Sequence, residues 1–236
     1  MATEHIVKSF DDEFESLHGI IAEMGGLVGD ELKAALDALA NRDADAAAAA
    51  TVTDGTVNRL EHEIEELAVR MIATRQPMAD DLRAIIASLR ASGDLERIGD
   101  QAKNIANRVF TIVELAPVGV ESDVFQLGTM VRDILSDAVE AYVEQDTDKA
   151  EAVRARDVEI DRRYTAIFSA ILSLNTEDSS RATVCTHLNL IVRSIERIGD
   201  LATDVAEEVI FMASGRIPKD DRSKADESFF VIASDG

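Results

Sequence analysis

Apolar residues recur every three or four positions along most of the chain, a spacing typical of helices that bury one face. One such run extends from about residue 9 to residue 40, and a second extends from Asp43 to Thr74. Between them, Asn41 supplies a helix stop and Asp43 supplies an N-cap, so the connection is short. The pattern therefore predicts two long helices that pack side by side in opposite directions.

Proline marks the ends of the helical runs. Pro77, Pro117 and Pro218 all stand where the periodicity stops, and proline lacks the backbone N–H that a helix interior requires. The remaining predicted helices cover residues 80–115, 122–145, 146–174 and 176–214, and the last three of them begin at the N-caps Ser122, Asp146 and Thr176. The chain is thus predicted to form six helices, three on each side of Pro117, and no strand.

The pentapeptide Glu-Arg-Ile-Gly-Asp occurs twice, at residues 96–100 and 196–200. The apolar positions that follow it match at the same offset: Ala102 with Ala202, Ile105 with Val205, Ala106 with Ala206, and Val109 with Val209. A buried face that is repeated in this way indicates the duplication of a whole structural unit. We predict an all-α fold, a tandem repeat of two antiparallel three-helix bundles over residues 9–115 and 122–214, followed by a C-terminal tail at 215–236.

The charge balance restricts the kinds of partner that the chain can bind. The sequence contains 46 acidic and 24 basic residues, which gives a formal net charge of −22. A surface of this sign repels the phosphates of nucleic acids and anionic lipids, so we expect no nucleic acid partner. It attracts cations or a basic protein surface, unless the charge serves only to keep the protein soluble.

Neither a disulfide nor a membrane segment is expected. Cys185 is the only cysteine, so it has no partner within the chain. Residues 1–12 include charged side chains where a secretory leader would be apolar, and no apolar run approaches the roughly 18 residues of a membrane span. We expect a cytoplasmic protein that meets the membrane only through its partners.

Each pentapeptide begins an acidic stripe along one side of its helix. The stripes consist of Glu96, Asp100 and Asn104 in the first unit and of Glu196, Asp200 and Asp204 in the second, each member four residues from the next. Like charges at this spacing destabilise a helix, and a bound cation would offset the repulsion.

The glycine in the pentapeptide also points to a site, because Gly99 and Gly199 would allow a ligand or a neighbouring backbone to approach closely. The alternative is an ordinary solvated face with ion pairs three residues apart. Those pairs would be Arg97 with Asp100 and Arg197 with Asp200.

The second helix of each unit offers further oxygen ligands at the same spacing, Asp54 with Asn58 and Asp157 with Asp161. Carboxylates without cysteine or paired histidine are typical of sites for hard cations such as magnesium, calcium, manganese or iron.

No catalytic motif accompanies these acids. The sequence has no phosphate-binding loop, no Gly-x-Ser-x-Gly element and no paired Cys and His. Glu15 and His18 form a single Glu-x-x-His element, whereas di-iron bundles carry this element on two helices. We therefore expect a protein that is not an enzyme.

Two three-helix units, each with Asp-x-x-x-Asn/Asp on the second helix and Glu-Arg-Ile-Gly-Asp on the third, resemble the PhoU family of phosphate-regulon regulators. The stretches Met24-Gly25-Gly26 and Arg75-Gln76-Pro77 are similar to further landmarks of that family. The resemblance implies a non-enzymatic negative regulator of phosphate uptake and phosphate-starvation signalling. It implies a homodimeric adaptor between the ATPase subunit of a phosphate ABC transporter and a sensor histidine kinase.

The resemblance also implies bound divalent or multinuclear metal, with iron, zinc, manganese and magnesium as the candidates. The ligands that it implies are Asp54, Glu96 and Asp100 in the first unit and Asp157, Asp161, Glu196, Asp200 and Asp204 in the second. Two rival interpretations are a carboxylate helix bundle that acts as a metal oxidase or store, and a metal-free helical scaffold.

The two units differ in their acids. Asn58 in the first unit stands opposite Asp161 in the second, and Asn104 stands opposite Asp204. Since affinity for hard cations rises with the number of charged ligands, we expect the second unit to hold metal more tightly.

Overall fold

The computed structural model describes residues 2–52 and 55–218, with residues 2–10 described as backbone only, and these residues form helices and no strand. The α-helices are α1 Ala2–Asn41, α2 Ala44–Ala50, α3 Thr56–Arg75, α4 Asp80–Ile112, α5 Glu121–Glu144, α6 Thr147–Glu177 and α7 Ala182–Ser214. A single 3₁₀ turn at Ser179–Arg181 precedes α7. The all-helical prediction is confirmed.

One predicted helix is interrupted. The pattern from Asp43 to Thr74 predicts a continuous helix, but α2 ends at Ala50 and α3 begins at Thr56. Gly55 stands before α3 with a φ of 71°, a left-handed conformation that stops a helix and that glycine adopts without strain. The alanine run before the break is strongly helix-forming, so apolar periodicity alone concealed the interruption.

Two of the predicted helix starts are wrong. α5 begins at Glu121 rather than after Ser122, because the Glu121 carboxylate accepts hydrogen bonds from the backbone N–H groups of Val118 and Gly119, both at 2.8 Å. Thr176 lies inside the last turn of α6. The cap in that region is Asp178, whose side chain accepts a hydrogen bond from the backbone N–H of Ser180 at 3.0 Å.

Other predicted ends are confirmed or lie close to the observed ones. Asp43 and Asp146 are N-caps, with side chains that accept hydrogen bonds from backbone N–H groups in the first turns of α2 and α6. Gly215 ends α7 with a φ of 70°. α1 begins at Ala2, earlier than predicted, and α4 ends at Ile112, slightly before residue 115.

α4 and α7, which carry the two pentapeptides, form the centre of the molecule. They pack against each other, and α1 and α5 pack against this central pair and against one another. α3 packs on α4, and α6 packs on α7. The repeated apolar residues after each pentapeptide are buried in both copies, so the duplicated sequence face is the core face.

The central helices are antiparallel, and their contact extends along one side of each. At one end of this contact Arg90 of α4 lies 3.4 Å from Glu208 of α7, and Asp94 and Asp204 also face one another there. Arg97 pairs with Asp94 at 3.1 Å. We call these five residues the acidic seam, since three carboxylates share two arginines.

Burial changes the proton affinity of the acidic seam. The pKa of Asp94 is raised to about 6, first by burial and then by the Asp204 charge, against the opposing charge of Arg97. Burial also raises the pKa of Glu208 to about 7, against the opposing effect of Arg90. The folded protein therefore prefers these two carboxyl groups protonated more than the unfolded chain does.

Close packing of α1 on α5 depends on glycine. A Cβ atom at Gly25 would lie 2.5 and 2.7 Å from the two methyl groups of Val139 on α5, closer than real Cβ contacts allow. The neighbouring Gly26 has no atom within 4 Å of the equivalent position, and neither has Gly29. Of the four glycines in α1, Gly25 alone would place a Cβ atom within 4 Å of a neighbour, so it marks the close crossing.

We expect Gly25→Ala to destabilise the protein by about 1–3 kcal/mol, because the added methyl group overpacks the crossing with Val139. The matched control is Gly26→Ala, which should be neutral or stabilise by up to about 1 kcal/mol through helix propensity. Urea unfolding of the two variants measures the difference. Equal stability of the Gly25→Ala and Gly26→Ala variants would contradict close packing of α1 against α5 at Gly25.

Glu208→Gln should stabilise the protein increasingly as pH rises. The folded-state pKa of Glu208 is raised to about 7, so its favourable effect on stability is complete below its unfolded pKa and is lost as pH rises through 7. The variant should gain on the order of 1–2 kcal/mol at pH 8 and little at pH 5. Chemical unfolding at both pH values tests this.

Arg90→Gln provides the comparison, because Arg90 opposes the shift at Glu208 and its loss should strengthen the pH dependence. A stability difference between Glu208→Gln and the wild type that stays constant from pH 5 to pH 8 would show that Glu208 is not the titrating group.

Candidate functional site

The second unit buries two of its candidate ligands. Asp157 and Asp161 are 4% and 3% exposed, and they are the only charged side chains in the described part of the chain that are this deeply buried. They lie one turn apart on α6, which packs on the pentapeptide helix α7. Two carboxylates buried one turn apart are costly unless neighbouring groups or a cation offset the repulsion.

The space around Gly199 would accept a side-chain carbon. A Cβ atom there would lie 3.4 Å from the Ile160 Cδ1 atom, and Ile160 is the residue before Asp161. This distance is an ordinary contact, so the packing of α6 on α7 does not require glycine in the second pentapeptide, whereas Gly99 in the first has tighter neighbours at 3.3 Å.

The other candidates of the second unit lie on α7. Glu196 and Asp200 are half-buried, and the Arg197 guanidinium lies 3.7 Å from the Asp200 carboxylate. The ion pair of the solvated-face alternative is thus present in this copy. Asp204 faces Asp94 of α4 in the acidic seam, so it belongs to the contact between the two repeats.

In the first unit the arrangement differs. Asp54 lies outside the described residues, Asn58 is exposed, and Glu96 is half-buried. Arg97 pairs with Asp94 rather than with Asp100, so the predicted ion pair of the first pentapeptide is not formed. Burial raises the pKa of Glu96, and the Asp100 charge raises it further.

Two acids that sequence analysis missed lie beside the first pentapeptide. Burial raises the pKa of Glu61 on α3, and the charge of Glu96 contributes next. Glu31 of α1 packs at Gly99, where a Cβ atom would lie 3.3 Å from its Oε2 atom. Glu61 could have been found from its position, because it follows Asn58 by three residues on the same helix face.

The equivalent positions in the second unit are not acidic. Val28 and Val57 surround Gly99 as Val131 and Ile160 surround Gly199, which fixes how the two units correspond. By that correspondence Ile134 replaces Glu31, and Tyr164 replaces Glu61. The number of carboxylates therefore no longer distinguishes the second unit from the first, but the depth of their burial does.

The candidate ligands of the first unit and those of the second are all carboxylates, which suits a hard cation. The side chains do not converge as placed, because no group of three or more His, Cys, Asp or Glu among the described residues is arranged to hold a metal ion.

The single Glu-x-x-His element has a packing role. The His18 ring packs edge-on against the ring of buried Tyr142 at 5.7 Å, while Glu15 is exposed.

Among the helices whose residues the structure describes, none is long and apolar enough to cross a membrane.

Similar proteins are found over nearly the whole chain. A protein named phosphate-specific transport system accessory protein PhoU homolog from Zymomonas mobilis is 39% identical, covering 98% of this chain and 96% of that one. The protein of the same name from Caulobacter vibrioides is 38% identical, covering 95% of this chain and 98% of its own.

Solved structures agree with the fold. The crystal structure of PhoU from Pseudomonas aeruginosa has a TM-score of 0.84 at 33% identity, covering 88% of this chain and 100% of that one. The phosphate transport system regulatory protein PhoU from Streptococcus pneumoniae has a TM-score of 0.82 at 27% identity, covering 89% and 99%.

The family model for the PhoU domain matches the chain twice, at residues 21–109 and 124–209, one match in each repeat. With both copies matched and relatives of the same length, the chain belongs to the PhoU family.

Proposed function

We propose that the protein is an accessory protein of a phosphate-specific transport system and a negative regulator of phosphate-starvation signalling. The observation that carries the proposal is the similarity over nearly full length to relatives named as accessory proteins of that system. The solved relative from Streptococcus pneumoniae is named as a regulatory protein. In this proposal the protein acts in the cytoplasm, without catalysis, as a homodimeric adaptor.

The adaptor would contact the ATPase subunit of a phosphate ABC transporter and a sensor histidine kinase. The net charge of −22 supports contact with basic protein surfaces rather than with nucleic acid. α1 and α5 cover the central helices, which leaves α3 and α6 on the outside. Those outer helices would be the ones that partners can reach.

Deletion of the gene tests the regulatory role. In phosphate-rich medium a phosphate-starvation reporter should be silent in the wild type and switched on in the deletion strain, because the negative regulator is missing. Reintroducing the wild-type gene into the deletion strain should switch the reporter off again, which completes the test. A reporter that stays silent without the gene would overturn the proposal.

We also propose that the second unit holds a hard divalent cation, with Asp157 and Asp161 as ligands together with Glu196 and Asp200. Burial supports it, since carboxylates already withdrawn from water gain more from a cation than exposed ones do. The first unit, with Glu96, Asp100 and the neighbouring Glu61, would form the weaker site, and Asp54 stays a candidate from the sequence.

Titration with manganese or magnesium should reveal two classes of site. Asp157→Asn with Asp161→Asn should remove the tighter class, and Glu61→Gln with Glu96→Gln should affect only the weaker class. The control pair, Asp11→Asn with Asp12→Asn, changes the same charge at exposed positions of α1 and should leave both classes intact.

Thermal unfolding without metal shows whether the double variant has lost only its metal ligands or has lost its fold. The Asp157 and Asp161 double variant should be at least as stable as the metal-free wild type, because it removes two buried charges. Added metal should raise the Tm of the wild type alone. Equal metal affinity in the double variant and the wild type would refute the assignment.

A further inference from the structure

The two ends of the contact between α4 and α7 are related by the internal repeat, yet they carry different charges. At the acidic end Arg90 faces Glu208, and Asp94 faces Asp204. At the other end the corresponding pairs are Leu190 with Arg108, Ser194 with Asn104, and Arg197 with Gln101. Every acid of the acidic seam is replaced there by a neutral or basic residue: Ser194 corresponds to Asp94, Asn104 to Asp204 and Arg108 to Glu208. Of the two seam arginines, Arg97 corresponds to Arg197 and Arg90 corresponds to Leu190.

A polar cavity of about 470 Å³ opens at this second end. It lies between Gln101, Asn104 and Arg108 of α4 and the α7 stretch from Leu190 to Asp200. Three arginines reach it: Arg108, Arg193 and Arg197. On a protein with a net charge of −22, three guanidinium groups around one cavity form a local exception.

Two of the three arginines are not neutralised by the described part of the chain. Arg108 and Arg193 form no ion pair there, while Arg197 lies 3.7 Å from Asp200. The Nε atom of Arg108 is buried and has no hydrogen-bond partner among the described residues. A buried guanidinium donor that is left without an acceptor is costly, and this one lines an open cavity.

The charge of Arg108 also acts on a neighbouring histidine. Burial lowers the pKa of His187 on α7, and the charge of Arg108 lowers it further. Glu196 and Asp200 border the cavity and Arg197 pairs with Asp200, so three arginines stand against two carboxylates and one positive charge is in excess.

We propose that this cavity, at the end of the α4 and α7 contact opposite the acidic seam, binds a phosphate group through Arg108 and Arg193. Guanidinium groups match the tetrahedral oxyanion with paired N–H donors, and Asn104, Gln101 and Ser194 add neutral hydrogen-bond donors. The lining favours a small hydrophilic anion over a protein partner, since a protein interface needs an apolar centre and Leu190 is the one large apolar side chain here.

The assignment does not depend on the regulatory role. Glu196 and Asp200 border this cavity and are also proposed metal ligands, so phosphate binding is measured without divalent metal. Two sources of the phosphate group fit the cavity, inorganic phosphate and the phosphate chain of a nucleotide. Both ligands would use the same two arginines. Comparing the affinities of the two ligands therefore identifies the source of the phosphate group, and comparing the variants locates the site.

The test is calorimetric titration of the full chain with inorganic phosphate and, separately, with ATP, in the absence of divalent metal. We expect saturable binding of at least one of them, weakened tenfold or more by Arg108→Gln with Arg193→Gln. The control is Arg163→Gln, which removes one positive charge from an exposed position on α6 and should change affinity less than twofold.

Leu190→Glu provides a second variant that keeps every arginine. It places opposite Arg108 the acid that Glu208 supplies opposite Arg90, so it should also weaken binding tenfold or more. Leu190 is 37% exposed, so the change leaves the core intact, and equal Tm values for Leu190→Glu and the wild type check this.

Tighter binding of ATP would assign a nucleotide, and tighter binding of inorganic phosphate would assign the free ion. Absence of saturable binding of both would overturn the proposal. Unchanged affinity in the double arginine variant would do the same, as would acetate binding as tightly as phosphate.

Discussion

The packing of α4 against α7 is the contact on which the rest of the structure depends. Each helix buries the apolar residues that follow its pentapeptide, including the small residues Ala102, Ala106, Ala202 and Ala206. α1 and α5 then cover this pair, and α3 and α6 complete one unit each. A change in the spacing of the central pair would move every other helix.

The acids of the two pentapeptides are identical, but their surroundings make them different. Gly99 admits α1 with its Glu31, whereas Gly199 has the apolar side chains of Ile160 and Val131 beside it. In the second unit two carboxylates, Asp157 and Asp161, are buried, and none of the described candidate carboxylates of the first unit is buried as deeply. Two copies of one motif therefore provide two electrostatic environments.

The sequence predicted the helical class, the duplication and the buried face correctly, because all three follow from the spacing of apolar residues. It missed the break before Gly55, since an alanine run is helix-forming whether or not the helix continues. It assigned Ser122 and Thr176 as caps by residue type, although Glu121 and Asp178 make the hydrogen bonds. Glu31 could not be predicted as a neighbour of Gly99, because that contact depends on how α1 packs against α4.

The central contact has the geometry of a two-fold symmetric dimer contained in one chain, since equivalent positions of α4 and α7 meet at both ends. In a true dimer of one repeat, symmetry would force both ends to carry the same side chains. Joining the repeats in a single polypeptide removes that restriction. The acidic end around Asp94 and the arginine-rich end around Arg108 are the result, a polarity that an assembly of identical halves could not have acquired.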